Sequence, residues 1–364
     1  MSRWKIGSFT AAIGCIAVGA IIALAQYGML SYAALGFLWP ALLILFGLEM
    51  LLRLFIRSDA KSGVSGWAIV LIILLVVASG GQSLYAGGSL GGLFGNNQLV
   101  AMSGTAEAGS EVKAVRIELP NGKVTVRGEA EKAEVQYEGS LLLPGDSESE
   151  AKSNLDKKWE IITQGDTLVL RLAGNNNWLS NIQFGFYSKG PYLNVNVPQN
   201  LSVEVITSDG SIEAFGLQSG LTVNTSNGAM NLHDIAGGLT AHSSNGSITV
   251  KNIQGEVDLA SSNGSMTLDK VDGALTAKSS NGKITVNSGV TGDWRLTTSN
   301  GSVVMGIPEA TDATISADTS NSSLKGNVNW ERSSDTSGTA KVGKGTYKVT
   351  ISTSNGGITA DTTE

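Results

Sequence analysis

Cysteine is almost missing from this chain of 364 residues: Cys15 stands alone. One thiol excludes an intrachain disulfide and leaves no cysteine cluster for zinc. Histidine is nearly as scarce, with only His233 and His242, which weakens any metal-enzyme reading further. Proline is sparse as well, six residues against 46 glycines, so glycine punctuates the chain.

Charge is missing over one long interval. Between Lys5 and Glu49 no acidic or basic residue occurs. Two apolar stretches fill it, Ile6–Gln26 and Ala33–Leu52, and a third runs from Val64 to Leu84. Each approaches the roughly 20 residues that a helix needs to cross hydrocarbon. The expectation is an N-terminal α-helical membrane region of three spans over residues 1–84, with the lipid bilayer as partner through residues 6–84. Arg3 and Lys5 precede the first stretch, and Arg53, Arg57 and Lys61 separate the second from the third. Basic residues favour the cytoplasmic side. The N-terminus is therefore expected inside, and everything after the third stretch outside the cell. Trp39 and Trp67 read as interfacial anchors, and Glu49 reads either as an i,i+4 partner of Arg53 or, as an acid within a membrane segment, as a functional residue.

Acidic residues outnumber basic ones in the remainder. Residues 1–84 hold five basic and two acidic side chains, a balance of +3; with −6 for the whole chain, residues 85–364 carry −9. Such a body is a poor partner for nucleic acid, whose binding rests on cations neutralising phosphates. Phosphate loops, dinucleotide fingerprints and GxSxG nucleophile contexts are absent too. No cofactor, metal or catalytic residue is expected.

What the chain does have is repetition. SSNGSITV at 243–250 returns as SSNGSMTL at 261–268 and SSNGKITV at 279–286, with looser copies at 207–214, 225–232 and 298–305. Gly210, Gly228, Gly246, Gly264 and Gly282 are 18 residues apart, and Gly301 follows after 19. A fixed short period marks a repeat architecture. Ile212, Met230, Ile248, Met266, Ile284 and Val303 form one apolar column, and Ala214, Leu232, Val250, Leu268, Val286 and Met305 the next. Alternation by two describes strands with one face buried. A single phrase orders too much backbone for the apolar surface it buries, whereas stacked phrases share ladders and a core. The expected fold is an all-β solenoid, β-helix-like, with 18-residue rungs. An antiparallel meander remains the rival, because Asn-Gly between alternating strands also signals hairpins.

In the solenoid, Asn227, Asn245, Asn263, Asn281 and Asn300 would lie in one file about 4.8 Å apart, their amides linked. Gly228, Gly246, Gly264, Gly282 and Gly301 follow them, as residues that tolerate positive φ in a tight turn. Ser226, Ser244, Ser262, Ser280 and Ser299 are small enough to sit beside the file. These ten Asn and Gly residues read as a structural corner.

The domain order expected is 1–84 membrane region, 85–110 glycine-rich linker, 111–206 first β part, 207–305 regular repeats and 306–364 less regular rungs and cap. Within the last, 345–360 reads as the final rungs and 306–344 as a bulge or cap. Residues 147–162 fit either an amphipathic helix or a charged strand. On the outward columns no two carboxylates adjoin, and His242 near Asp258 is the one suggestive couple.

The S-N-G-x-[IVM] phrase and the VNVP segment at 195–198 resemble the bacterial "putative adhesin" family of β-helical surface proteins, over roughly 110–360. FLWPALLILFGLEMLLR at 37–53 is similar to the transmembrane region of LiaI/LiaF-type proteins of the envelope stress response. Together the resemblances imply a non-enzymatic, membrane-anchored surface protein: an adhesin-like binding module or a modulator of envelope stress. Its partner would be a membrane protein or a cell-wall component. The alternative is a glycan-modifying β-helix enzyme.

Overall fold

The computed structural model describes residues 10–17, 44–46, 49, 97–130, 133–173 and 190–363. The chain divides into two units, Met1–Asn96 and Asn97–Glu364.

In the first unit the described residues form short helical pieces at 10–17, 44–46 and 49. No helix among the described residues is long and apolar enough to cross a membrane. The expected fold class, with three membrane-spanning helices in front of the β body, is therefore corrected. Hydropathy records how unwelcome a segment is in water, not the structure that the segment takes up. Within this unit Glu49 Oε2 accepts from the Thr10 backbone N–H at 3.0 Å and from the Thr10 hydroxyl at 2.7 Å, and both residues are buried. The Glu49–Arg53 pair, Trp39, Trp67 and the stretch Val64–Leu84 lie outside the described residues, as does most of the other two stretches.

The second unit is built from two sheets, of twelve and thirteen strands among the described residues. Ile212–Leu217, Met230–Ile235, Ile248–Gln254, Met266–Asp272, Ile284–Asn287 and Val303–Pro308 run parallel in the first sheet. Leu221–Thr225, Leu239–Ser243, Val257–Ser261, Leu275–Ser279 and Trp294–Thr298 run parallel in the second. Each 18-residue phrase thus gives one strand to each sheet and joins its neighbours in register. Parallel pairing of successive phrases excludes the antiparallel meander. The inward columns of both sheets are buried, from Ile212 and Ala214 to Val303 and Met305, and form one continuous core.

The nineteenth residue of the long repeat is absorbed opposite the SNG corner. There Ser288 both donates to the Val271 carbonyl at 3.0 Å and accepts from its N–H at 2.9 Å. Thr291 Oγ1 accepts from the Gly273 N–H at 2.8 Å. Trp294 takes the place of a leucine in the core and donates to the Gly273 carbonyl at 3.1 Å.

Both ends depart from chain order. Ala114–Leu119 and Lys123–Glu129 pair beside Ser202–Thr207 and Ile212–Leu217, while the later strands Thr167–Leu172 and Tyr192–Pro198 lie outside them. At the other end Tyr347–Thr353 inserts between Trp294–Thr298 and Ala313–Thr319. Residues 345–360 are therefore the penultimate rung, not the last.

Antiparallel strands close three of the four sheet edges, and the fourth ends on the two-residue parallel strand Leu324–Lys325. Asn97–Glu107 pairs with Glu134–Pro144, Trp159–Gln164 with Thr167–Leu172, and Trp330–Arg332 with Ser337–Val342. Changing strand direction ends the parallel template that an open rung would offer to another chain. The strand Asn97–Glu107 begins inside the segment read as a linker.

Residues 147–162 resolve into a helix, Glu148–Lys158, running into the strand Trp159–Gln164. Ser147 caps the helix by accepting from the Glu150 N–H at 3.3 Å, and Glu150 Oε2 accepts in return from the Asp146 N–H at 2.9 Å. That reciprocal cap satisfies two otherwise orphan donors. The helix buries Ala151 and Leu155 against Asn97–Glu107 and Glu134–Pro144.

Candidate functional site

The recurrent corner is the most regular feature of the surface. Asn227 Nδ2 donates to Asp209 Oδ1 at 2.6 Å, and Asn245, Asn263, Asn281 and Asn300 each donate to the Oδ1 of the preceding asparagine at 2.7 Å. The file continues through Asn355, which donates to Asn300 at 2.6 Å, and Asn321, which donates to Asn355 at 2.7 Å. Every amide points the same way, so the dipoles add and each bond polarises the next. Asp209 stands where the amide N–H groups point outward from the file. Being acceptor-only when ionised, it terminates the file with a charge-assisted bond.

The glycines are required for a different reason from the one expected. Positive φ occurs at Gly122 and at several other glycines, but not at Gly228, Gly246, Gly264, Gly282 or Gly301. A Cβ on Gly246 would instead overlap the carbonyl oxygen of Gly228, and each later glycine meets the one before it in the same way, to Gly356 against Gly301. Close stacking of backbones, not a left-handed turn, demands glycine here.

The serines expected beside the file, Ser226, Ser244, Ser262, Ser280 and Ser299, are exposed. The hydroxyl that matters is one residue earlier. Thr225, Ser243, Ser261, Ser279 and Thr298 are buried, and each accepts from the N–H of its corner glycine at 2.8–3.2 Å. Thr298 Oγ1 also donates to the Gly282 carbonyl at 3.1 Å, and Thr353 to that of Gly301 at 3.0 Å. Strand parity pointed to these positions, since they share a face with the apolar residues two and four places before them.

A second file runs at the opposite corner. Gly216, Asp234, Asn252 and Lys270 stand six residues after successive corner glycines, and all four have φ between 53° and 72°. Asn252 Nδ2 donates to Asp234 Oδ1 at 2.8 Å, and His233 Nδ1 lies 2.8 Å from Asp234 Oδ2. The Asn252 amide first, then His233, hold the exposed Asp234 carboxyl below the usual carboxylate range. The His233 ring stacks on Phe215 with centroids 5.0 Å apart and planes 4° from parallel. Arg127 stands level with Phe215 in the neighbouring strand, 6.0 Å from its ring centroid.

His242 and Asp258 occupy adjoining rungs but different columns: His242 is level with Ala260, and Asp258 with Thr240. His242 Nδ1 meets Asn224 Oδ1 at 3.3 Å instead. In the register of neighbouring rungs from Ile212 to Met305 no two outward carboxylates face each other. Among the described residues no group of three or more His, Cys, Asp or Glu is placed to hold a metal ion.

The Toastrack DUF4097 sequence pattern matches residues 115–360. This chain belongs to the Toastrack DUF4097 family. The match takes in the corner file and the strands on both sides of it. Among curated proteins none matches the chain. Solved structures resemble this Toastrack chain at low identity. A "putative adhesin" from Parabacteroides merdae is 14% identical, with 74% of this chain and 98% of that chain covered and a TM-score of 0.40. A "putative lipid binding protein" from Parabacteroides distasonis is 14% identical, with 72% and 96% covered and a TM-score of 0.38. A "putative adhesin" from Bacteroides fragilis is 12% identical, with 71% and 96% covered and a TM-score of 0.31. The adhesin-like repeat domain is the part of the expected resemblance that the family match covers; the LiaI/LiaF-like front lies before residue 115.

Proposed function

We infer that the Toastrack body of this chain is a non-enzymatic binding module that engages an extended partner along the solenoid axis. One observation carries this reading. The parallel register sets outward residues in straight files, such as Asn231, Thr249, Thr267 and Thr285 on the first sheet. Hydroxyl and amide groups then recur at about the 4.8 Å strand spacing. A row of equivalent donors and acceptors suits a polymer that repeats its own polar groups. A wall glycan at the outer face of the cell is the partner class this favours, and an envelope-stress role would follow from sensing that polymer.

Glycan cleavage is the competing reading. It would need two carboxyl groups about 5–10 Å apart around one bond. The outward columns of the regular rungs offer hydroxyls, amides and scattered charges instead. A depression of about 510 Å³ lies away from these files and is lined by Met102, Tyr137, Lys152, Leu155 and Trp159 among others.

The test uses the full chain and purified cell-wall glycan. Sedimentation with the insoluble polymer should be lost on replacing Thr249 and Thr267 with glutamate, while the folded state persists by circular dichroism. Unchanged binding would remove the file from the interface. Release of new reducing ends during incubation would replace the binding reading with the enzymatic one. Protease treatment of intact cells checks the location: an outer-face module is cleaved without lysis.

A further inference from the structure

The sequence contains seven Asn-Gly dipeptides, at 121, 227, 245, 263, 281, 300 and 355. Asn-Gly is the dipeptide most prone to spontaneous deamidation, because glycine puts no side chain in the way of ring closure. The glycine nitrogen attacks the asparagine Cγ, losing its proton, and ammonia leaves. Water then opens the resulting succinimide at either carbonyl, giving aspartate or isoaspartate. Attack needs a glycine N–H free to give up its proton and an asparagine side chain free to turn toward it.

Six of the seven sites deny both requirements. The N–H of Gly228, Gly246, Gly264, Gly282, Gly301 and Gly356 donates to the buried hydroxyl of Thr225, Ser243, Ser261, Ser279, Thr298 and Thr353. In the same six, the asparagine amide is tied into the file at 2.6–2.7 Å. The seventh differs on both counts. At LPNG, residues 119–122, Leu119 stands level with Thr207 and so occupies the hydroxyl column without a hydroxyl. Asn121 has no side-chain hydrogen bond among the described residues, and it is half-buried beside Gly122 at φ 102°.

We propose that Asn121 is the deamidation site of this protein and that the buried Ser/Thr hydroxyl with the amide file protects the other six asparagines. The corner phrase then has a chemical role beside its packing role: it lets the solenoid repeat a dipeptide that would otherwise degrade. Asn121 is placed where conversion would be felt. The Pro120 carbonyl before it accepts from the N–H groups of Ser208 and Asp209, both at 3.2 Å, and Lys123 N–H after it donates to the Pro191 carbonyl at 2.9 Å. Isoaspartate would lengthen the backbone between these two anchors, at the junction of the first rungs.

The full chain, incubated at mildly alkaline pH and mapped by peptide mass spectrometry, tests this. Asn121 should convert first, at least tenfold faster than any corner asparagine, and in denaturant all seven should convert at comparable rates. Ser261→Ala should raise conversion at Asn263 selectively, and Ser261→Thr should keep it protected. Corner asparagines reacting as fast as Asn121 in the folded chain would overturn the proposal. So would a folded S261A protein in which Asn263 stays inert. If S261A does not fold, all six corners should react together, and the wild-type ranking of Asn121 against them decides.

Discussion

Gly264 and Gly246 stand so close across adjoining rungs that a Cβ on Gly264 would overlap the carbonyl oxygen of Gly246. Neither atom can yield, since both belong to backbones held in register by the strands on either side. Gly264→Ala should therefore destabilise the protein by about 3 kcal/mol or more, in the range of severe overpacking. Gly289→Ala is the control, because a Cβ there meets nothing within 4 Å. Urea unfolding of the two variants should separate them clearly; similar midpoints would mean the stack relaxes at little cost.

Ser243 and Ser244 are neighbours with opposite fates. Ser243 is buried and accepts from the Gly246 N–H at 2.8 Å, while Ser244 is exposed. Ser243→Ala should cost about 1–3 kcal/mol, the penalty of an unsatisfied buried donor. Ser244→Ala should change stability by no more than about 0.5 kcal/mol. Ser243→Thr should be close to neutral, since threonine serves the same position at Thr225 and Thr298. Thermal unfolding of the three variants checks the ranking.

Asp234 gives an acid-side signature. Its carboxyl lies below the usual range because the Asn252 amide and His233 favour the charged form. A depressed folded-state value means stabilisation that is full above the unfolded-state value and is lost as pH falls through the folded-state one. Asp234→Asn keeps an oxygen for the Asn252 amide and removes the titration. Stability of the wild type relative to this variant should shrink on acidification below about pH 4. Denaturant midpoints measured across that interval test it, and a difference independent of pH would contradict the assignment.

Truncation after Lys344 removes an inner strand from each sheet, not a terminal one. Tyr347–Thr353 separates Trp294–Thr298 from Ala313–Thr319, and Ile358–Thr363 separates Val303–Pro308 from Leu324–Lys325. The shortened chain should lose cooperative unfolding and aggregate through the freed strand edges. Size-exclusion chromatography would show it, whereas a monomer with only modestly lowered stability would argue that the cap can redock.

The 18-residue period, the inward columns and the asparagine file were legible in the sequence because identical rungs must place identical residues in identical surroundings. Less legible was the reason for each residue. The glycine column read as turn chemistry, and only the distance between stacked backbones identifies it as a steric requirement. The hydroxyl column was one residue away from the serines that the eye picks out in SSNG. The apolar front read as three membrane-spanning helices, and no helix among the described residues is long and apolar enough to cross a membrane.

By itself, the sequence determined that the body repeats, which residues face inward, and that Asn227 to Asn300 occupy equivalent corners. Only the tertiary structure decided which rung lies at each end, because Tyr347–Thr353 and Ala114–Leu119 enter the stack out of chain order. Local pattern fixes how a rung is made, since alternation and turn chemistry act within a few residues. Which rung adjoins which is a choice among nearly equivalent edges, made by long-range backbone pairing and by the caps that close each end.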